Sequence, residues 1–145
     1  MKLTESKIWS YINKIQKQKK NWHFVRIESH TVNGIPDVNG VINGREYWIE
    51  LKCNRGNNIG LSKYQLLWHS KRIQSGGKCF ILHLTEKHEH IEILEVRDSR
   101  SRSRFPFPVL VSLVSYHQEP GSKVLRSGAR VRDGLERAVV EMSRL

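Results

Sequence analysis

The sequence is poor in cysteine, in long apolar runs and in acidic residues, and each shortage excludes a class of protein. Its two cysteines, Cys53 and Cys79, are too few and too far apart in the chain for a disulfide framework, which favours a reducing compartment. No apolar run approaches the roughly 20 residues that cross a bilayer. The first residues also lack the apolar segment of a signal peptide. We therefore expect a cytoplasmic protein that does not enter a membrane.

The shortage of acidic residues indicates the kind of partner. Asp and Glu total 14 against 25 Lys and Arg, which gives a net charge of +11 at pH 7. Such an excess favours association with nucleic acid or with another anionic surface. At 145 residues, of which 38% are hydrophobic and 27% charged, the chain is long and apolar enough to form one folded domain with its own core.

The hydrophobic pattern predicts an α/β chain. Apolar residues at helical spacing predict helices at 4–20, at 62–75 and near the C-terminus, where one face carries Val131, Leu135, Ala138, Val139 and Met142. Alternating or wholly apolar runs predict strands at 23–29, 38–42, 45–53, 78–85 and 90–97. Periodicity leaves the run 109–116 open between strand and helix.

The second predicted helix carries its own start signal. Ser62 and Gln65 have the spacing of a capping box, in which each side chain bonds the backbone of the other residue. One face of this helix is expected to carry Tyr64, Leu67, Trp68 and Lys71, with the lysine stem packed along the apolar surface.

The stretch from Asp37 to Lys52 is the part of the chain that carries chemistry. Glu50 and Lys52 are two residues apart on a predicted strand, so their side chains point to the same face. Asn43-Gly44, between Asp37 and Glu50, is favoured in two-residue hairpin turns because both positions need a positive φ. A hairpin there folds the second strand back along the first and brings Asp37 level with Glu50.

Two carboxylates and a lysine brought together in this way suit phosphodiester hydrolysis. Mg²⁺ prefers oxygen ligands, so Asp37 and Glu50 are suitable ligands and the backbone carbonyl of Leu51 is a third. Lys52 is expected to hold the attacking water or to stabilise charge in the transition state. A Glu-x-Lys pair on a strand is by itself usually structural, but the preceding Pro-Asp, the hairpin and the basic chain favour the catalytic interpretation.

Three motifs, in order along the chain, resemble those of the PD-(D/E)xK nuclease superfamily, and in particular its virus-type replication-repair (VRR-NUC) branch. They are Gly34-Ile35-Pro36-Asp37, Glu50-Leu51-Lys52 and Leu61-Ser62-Lys63-Tyr64-Gln65. The resemblance covers 4–85 and implies a restriction-endonuclease-like fold, in which helices flank a mixed central sheet. The C-terminal helix lies outside this range and is interpreted as an extension of the fold. It also implies a Mg²⁺ cofactor, for which Mn²⁺ substitutes, and Asp37, Glu50 and Lys52 as catalytic residues.

The resemblance extends the candidate site by two residues. Gln65 matches a helical glutamine of the family, although its capping-box position explains it equally well without chemistry. The acid that the family carries on its first helix falls on Glu5. Glu28 competes for this accessory role, since it lies just before the turn that leads to Asp37.

The motifs and the resemblance together predict a metal-dependent DNA endonuclease of a bacterial or phage-infected cell. By resemblance, the favoured substrate is branched or replication-intermediate DNA, as for a Holliday junction resolvase. The alternatives are a restriction-type or nicking enzyme of the same superfamily and a non-catalytic, basic DNA-binding protein.

The last third of the chain has no counterpart in the resemblance. We divide the chain into a nuclease core at 1–97 and a basic linker with a C-terminal extension at 98–145. Arg100, Arg102 and Arg104 alternate with serine, either as a solvated linker or as an arm that contacts DNA phosphates together with Lys63. The apolar faces of 109–116 and 131–142 pack either on the chain's own sheet or on a second subunit. A homodimer would supply the two sites that paired cuts in a four-way junction require.

Overall fold

The computed structural model describes residues 4–54, 59–85, 90–98, 108–117 and 128–144. In chain order, its elements are α1 (Glu5–Gln16), β1 (Trp22–Arg26), β2 (Val38–Ile42), β3 (Arg45–Asn54), α2 (Lys63–Gln74), β4 (Cys79–Thr85), β5 (His90–Asp98), β6 (Pro108–His117) and α3 (Gly128–Ser143). Within these residues, no helix is long and apolar enough to span a membrane.

The strands form one six-stranded sheet whose spatial order is the same as their order in the sequence. β3 and β4 are parallel, and every other pair of neighbours is antiparallel. α2 connects β3 to β4, because parallel neighbours need a crossover rather than a tight turn. The predicted α/β fold, a mixed central sheet flanked by helices with a helix at the C-terminal end, is confirmed.

The helices divide between the two faces of the sheet. α1 and α3 pack together on one face, over apolar side chains that include Ile49, Leu51 and Leu82. α2 covers the other face, where a smaller apolar cluster contains Cys79 and Ile81. Every residue of β4 is buried, as its apolar sequence predicted for a central strand. Side chains on the α2 face of β3 are therefore enclosed between the sheet and a helix.

Two elements near the N-terminus end earlier than predicted. α1 stops at Gln16, whose amide bonds the edge of β1: its Nε2 donates to the Phe24 carbonyl at 3.1 Å and its Oε1 accepts from the Phe24 N–H at 2.7 Å. β1 ends at Arg26 rather than Ser29, and its last link to β2 is the Ile27 N–H, which donates to the Asp37 carbonyl at 2.7 Å. The chain from Ile27 to Asp37 is therefore a loop beside the end of β2.

The C-terminal helix belongs to the chain's own core. The five residues of its apolar face, Val131, Leu135, Ala138, Val139 and Met142, are 0–1% exposed and pack with α1 and the sheet. The hypothesis that this face binds a second subunit is wrong, because a face already buried in the monomer has no surface left to offer. The run 109–116, left open by periodicity, is a strand that pairs with β5. Its side chains lie outside the described part of the structure, as do Arg100, Arg102 and Arg104.

Candidate active site

The β2–β3 hairpin places Asp37 beside the middle of β3. Asn43 and Gly44 have φ values of 51° and 82°, which confirms the predicted two-residue turn. The register pairs Val38 with Ile49, so β2 begins at the point where β3 continues on to Glu50. Asp37, the residue just before β2, therefore lies next to the part of β3 that β2 leaves uncovered.

Asp37 takes the place of the missing strand partner. The Trp48 N–H donates to the Lys78 carbonyl on the β4 side, so the backbone groups of Leu51, an odd number of residues further on, point to the β2 side. There the Leu51 N–H donates to Asp37 Oδ2 at 3.0 Å. The Leu51 carbonyl is directed to the same edge, because the two backbone groups of one strand residue point the same way.

Glu50 lies on the opposite face of β3 from Leu51, under α2, and is only 3% exposed. Its Oε1 accepts a hydrogen bond from Gln65 Nε2 at 2.9 Å, whereas its Oε2 has no donor. A second acid, Asp37, lies beside it and can share a hydrogen bond with it only when one of the two carboxyls is protonated. A buried carboxylate beside a second, half-buried one therefore favours a proton or a cation between them.

The pKa of Glu50 reflects the same unfavourable burial of negative charge. The pKa of Glu50 is raised from 4.5 to about 9, mainly by burial and then by the charge and the hydrogen bond of Asp37. The Lys52 ammonium opposes the rise, and the Glu5 carboxylate adds to it. Glu50 is therefore a carboxylic acid at neutral pH unless a positive charge binds beside it.

Gln65 joins the site to the start of α2. Its Oε1 accepts from the Lys52 ammonium at 3.2 Å and from the Ser62 N–H at 2.9 Å, while its Nε2 donates to Glu50. The Gln65 N–H in turn donates to Ser62 Oγ at 3.2 Å, which completes the capping box. The sequence left capping and a contact with the site as alternatives, and the structure contains both.

The two candidate accessory acids differ in their relation to Glu50. Glu5, in the first turn of α1, is close enough for its charge to raise the pKa of Glu50. Glu28 is exposed and lines an open cleft of about 530 Å³, formed by the loop from Arg26 to Asp37. Glu5 therefore acts electrostatically on the site, whereas Glu28 faces the space in front of it.

His69 is a further residue near the site, and the sequence motifs did not point to it. It is fully buried on α2, and neither ring nitrogen has a hydrogen-bond partner. The pKa of His69 is lowered from 6.5 to about 4, mainly by burial and then by the charge of Lys52. The signal was its spacing: His69 follows Gln65 by four residues and so shares its helix face.

The outer face of α2 is turned largely to solvent. Tyr64 and Leu67, expected to share a face with Trp68 and Lys71, are 52% and 54% exposed, and Lys71 is exposed beside them. Trp68 is only partly buried, at the edge of the smaller apolar cluster. The helix is turned this way because Gln65 and the buried His69 occupy its inner face.

The oxygen donors present fit a divalent cation of the kind predicted. Among the described residues, no group of three or more His, Cys, Asp and Glu side chains could hold a metal. Mg²⁺ does not need such a group, since it binds few protein ligands and retains several waters. Asp37 and the Leu51 carbonyl lie at one edge of β3, and the unpartnered Oε2 of Glu50, beside Asp37, is a third oxygen ligand.

Comparison with known proteins gives a structural likeness alone. No protein-family profile and no curated protein sequence matches the chain. Among solved structures, the chain is similar to Hjc of Archaeoglobus fulgidus, a Holliday junction resolvase from an archaeal hyperthermophile. The likeness has a TM-score of 0.45 and 16% sequence identity, and it covers 91% of this chain and 96% of that chain.

Proposed function

We propose that the protein is a metal-dependent DNA endonuclease that hydrolyses phosphodiester bonds in branched DNA. The observation that carries the proposal is the buried Glu50 carboxyl, which faces Asp37 and has one oxygen without a donor, while Lys52 and Gln65 lie beside it. A protein that only binds DNA needs no buried Glu50 beside Asp37, which costs stability unless a cation is bound.

A divalent cation, Mg²⁺ or Mn²⁺, would be held by Asp37, Glu50 and the Leu51 carbonyl. When bound, it would activate water and neutralise the charge that develops on the phosphate. Glu5 adds negative charge near the same point and strengthens the preference for a cation. Binding of the cation would also release the proton that the buried Glu50 otherwise retains.

Lys52 and Gln65 have the remaining roles in the reaction. The Lys52 ammonium is held by Gln65 Oε1 on the same face as Glu50, so its charge is already oriented before DNA arrives. There it can stabilise the additional charge on the phosphate in the transition state. Gln65 is a positioning residue, because its amide fixes the distance between Glu50 and Lys52.

The DNA itself would be bound by the positive charge of the chain. The net charge of +11 favours a polyanion, and the exposed Lys63 at the start of α2 is within reach of a DNA strand entering the site. Arg100, Arg102 and Arg104 are proposed to add phosphate contacts.

The test is cleavage of linear, nicked, flapped and four-way DNA, with and without Mg²⁺. We expect cleavage of the branched substrates in Mg²⁺ and none in chelator. Asp37→Ala, Glu50→Ala and Lys52→Ala should each lower the rate by ~10²-fold or more while DNA binding survives. Glu46→Gln, on the same strand but exposed, is the matched control and should cleave normally. Rates like those of the unaltered protein in all three alanine variants would refute the proposal.

We further propose a homodimer, since one site cuts one strand and resolving a four-way junction takes two matched cuts. The buried face of α3 cannot form its interface, so another surface must do so. Light scattering of the purified protein decides this: a monomer that cleaves DNA would refute the dimer and leave the nuclease proposal intact.

A further inference from the structure

Among the described residues, α2 carries most of the large hydrophobic side chains that are exposed. Three of the five large hydrophobic side chains that are exposed among the described residues belong to this helix; the five are Val25, Val32, Tyr64, Leu66 and Leu67. Tyr64 and Leu67 are three residues apart and more than half exposed, so they form one continuous patch on the outer side. An aromatic ring and a leucine left together in solvent indicate a binding surface rather than scattered exposure.

The patch adjoins the candidate active site through the backbone. Tyr64 immediately precedes Gln65, whose amide contacts Glu50 and Lys52. The loop that carries Asp37 also packs here: a Cβ on Gly34 would lie 2.2 Å from the Tyr64 carbonyl oxygen, and only glycine fits there with a φ of 85°. The patch is therefore joined to the site through the start of α2, although the Tyr64 side chain itself is turned to solvent.

Charge indicates the chemistry of the occupant. α2 carries Lys63, Lys71 and Arg72 and has no acidic residue along its whole length. The guanidinium of Arg72 packs over the rings of Trp48 and Trp68, at 5.1 and 4.7 Å from their centroids, and so is already engaged. Lys63 and Lys71 remain on the exposed side, with the Lys63 ammonium 5.7 Å from the Tyr64 ring centroid. A second copy of this chain would oppose lysines to lysines, whereas nucleic acid complements them.

We propose that this outer surface, formed by Lys63, Tyr64, Leu67 and Lys71, binds an unstacked base of the DNA on which the protein acts. The proposal rests on the nuclease function. Tyr64 offers a ring on which an unstacked base can stack, and Leu67 packs against that base in place of the neighbouring base it has lost. The two lysines contact the flanking phosphates. In a continuous duplex the bases remain stacked on each other, so no base is available to stack on Tyr64. The surface therefore selects DNA with an unpaired or opened position, such as a branch point.

The experiment measures binding in chelator, so that no cleavage intervenes. Fluorescence anisotropy compares an intact duplex with the same duplex containing unpaired bases, and 2-aminopurine at an unpaired position reports stacking. Tyr64→Ala and Leu67→Ala should each weaken binding to the DNA with unpaired bases by about tenfold and leave the intact duplex within about twofold. Tyr64→Phe, which keeps the ring, should restore both affinity and the 2-aminopurine signal.

Val25→Ala, an exposed apolar residue on the edge strand β1, is the control and should change neither affinity. Because Tyr64 and Leu67 are largely exposed, their variants should melt like the unaltered protein. Equal losses on both DNAs, or no loss, would overturn the proposal. So would a fall in molecular mass by light scattering in Tyr64→Ala or Leu67→Ala, since the surface would then join two copies of the chain. Selective binding to the DNA with unpaired bases, without cleavage in Mg²⁺, would refute the nuclease function but would still support the binding role of this surface.

Discussion

Replacing Glu50 by glutamine should stabilise the metal-free protein, and increasingly so as pH rises. The folded chain keeps a proton on Glu50 up to about pH 9, while the unfolded chain releases it near 4.5. The folded state therefore binds the extra proton between these values, and its stability is complete below pH 4.5 and falls as pH rises towards 9. A neutral amide at this position has no proton to lose, so the stability of Glu50→Gln does not follow this decline.

The size of the effect follows from the pKa difference. Each pH unit between 4.5 and 9 costs the unaltered protein up to ~1.4 kcal/mol, so Glu50→Gln should gain on the order of 3 kcal/mol at pH 7. The new amide keeps an oxygen to accept from Gln65 and adds an N–H₂ that can donate to Asp37. The gain should nearly vanish close to pH 4.5, where Glu50 is protonated in the folded state and half protonated in the unfolded state.

Urea denaturation in chelator between pH 5 and pH 8 measures this difference directly. Glu46→Gln, an exposed glutamate on the same strand whose Oε1 accepts from Trp48 Nε1 at 2.9 Å, is the control and should change stability by less than ~0.5 kcal/mol. Added Mg²⁺ should stabilise the unaltered protein, by ~2.7 kcal/mol at a hundred times its Kd, and leave Glu50→Gln unchanged. Parallel pH profiles for Glu50→Gln and the unaltered protein would refute the account of a proton-retaining acid pair.

Three further outcomes are expected. Ca²⁺ should support DNA binding with little cleavage, because it accepts looser and higher coordination than Mg²⁺; full activity in chelator would contradict this. Gln65→Ala should cost roughly 1 kcal/mol of stability and lower the cleavage rate, whereas Ser62→Ala should cost similar stability at a normal rate, since it removes only the cap. Replacing Arg100, Arg102 and Arg104 by alanine should reduce the slope of log K against log salt by about 0.9 for each phosphate that these arginines neutralise. An unchanged slope would show that the run is only a linker.

The sequence alone determined the local features of the site. The Asn43-Gly44 turn, the alternation that puts Glu50 and Lys52 on one face, and the capping box at Ser62 are set by interactions between residues close in the chain. Their outcome is therefore readable from spacing and residue type.

Only the tertiary structure decided which of these local features meet. The rotation of α2 that turns Gln65 towards Glu50 and Tyr64 towards solvent depends on how the helix packs across β4 and β5, and residue spacing fits either rotation. The burial of α3 likewise depends on α1, more than a hundred residues away in the chain. Apolar periodicity predicts that a helix face is buried, but it does not indicate which element packs against that face, because the hydrophobic effect is non-directional.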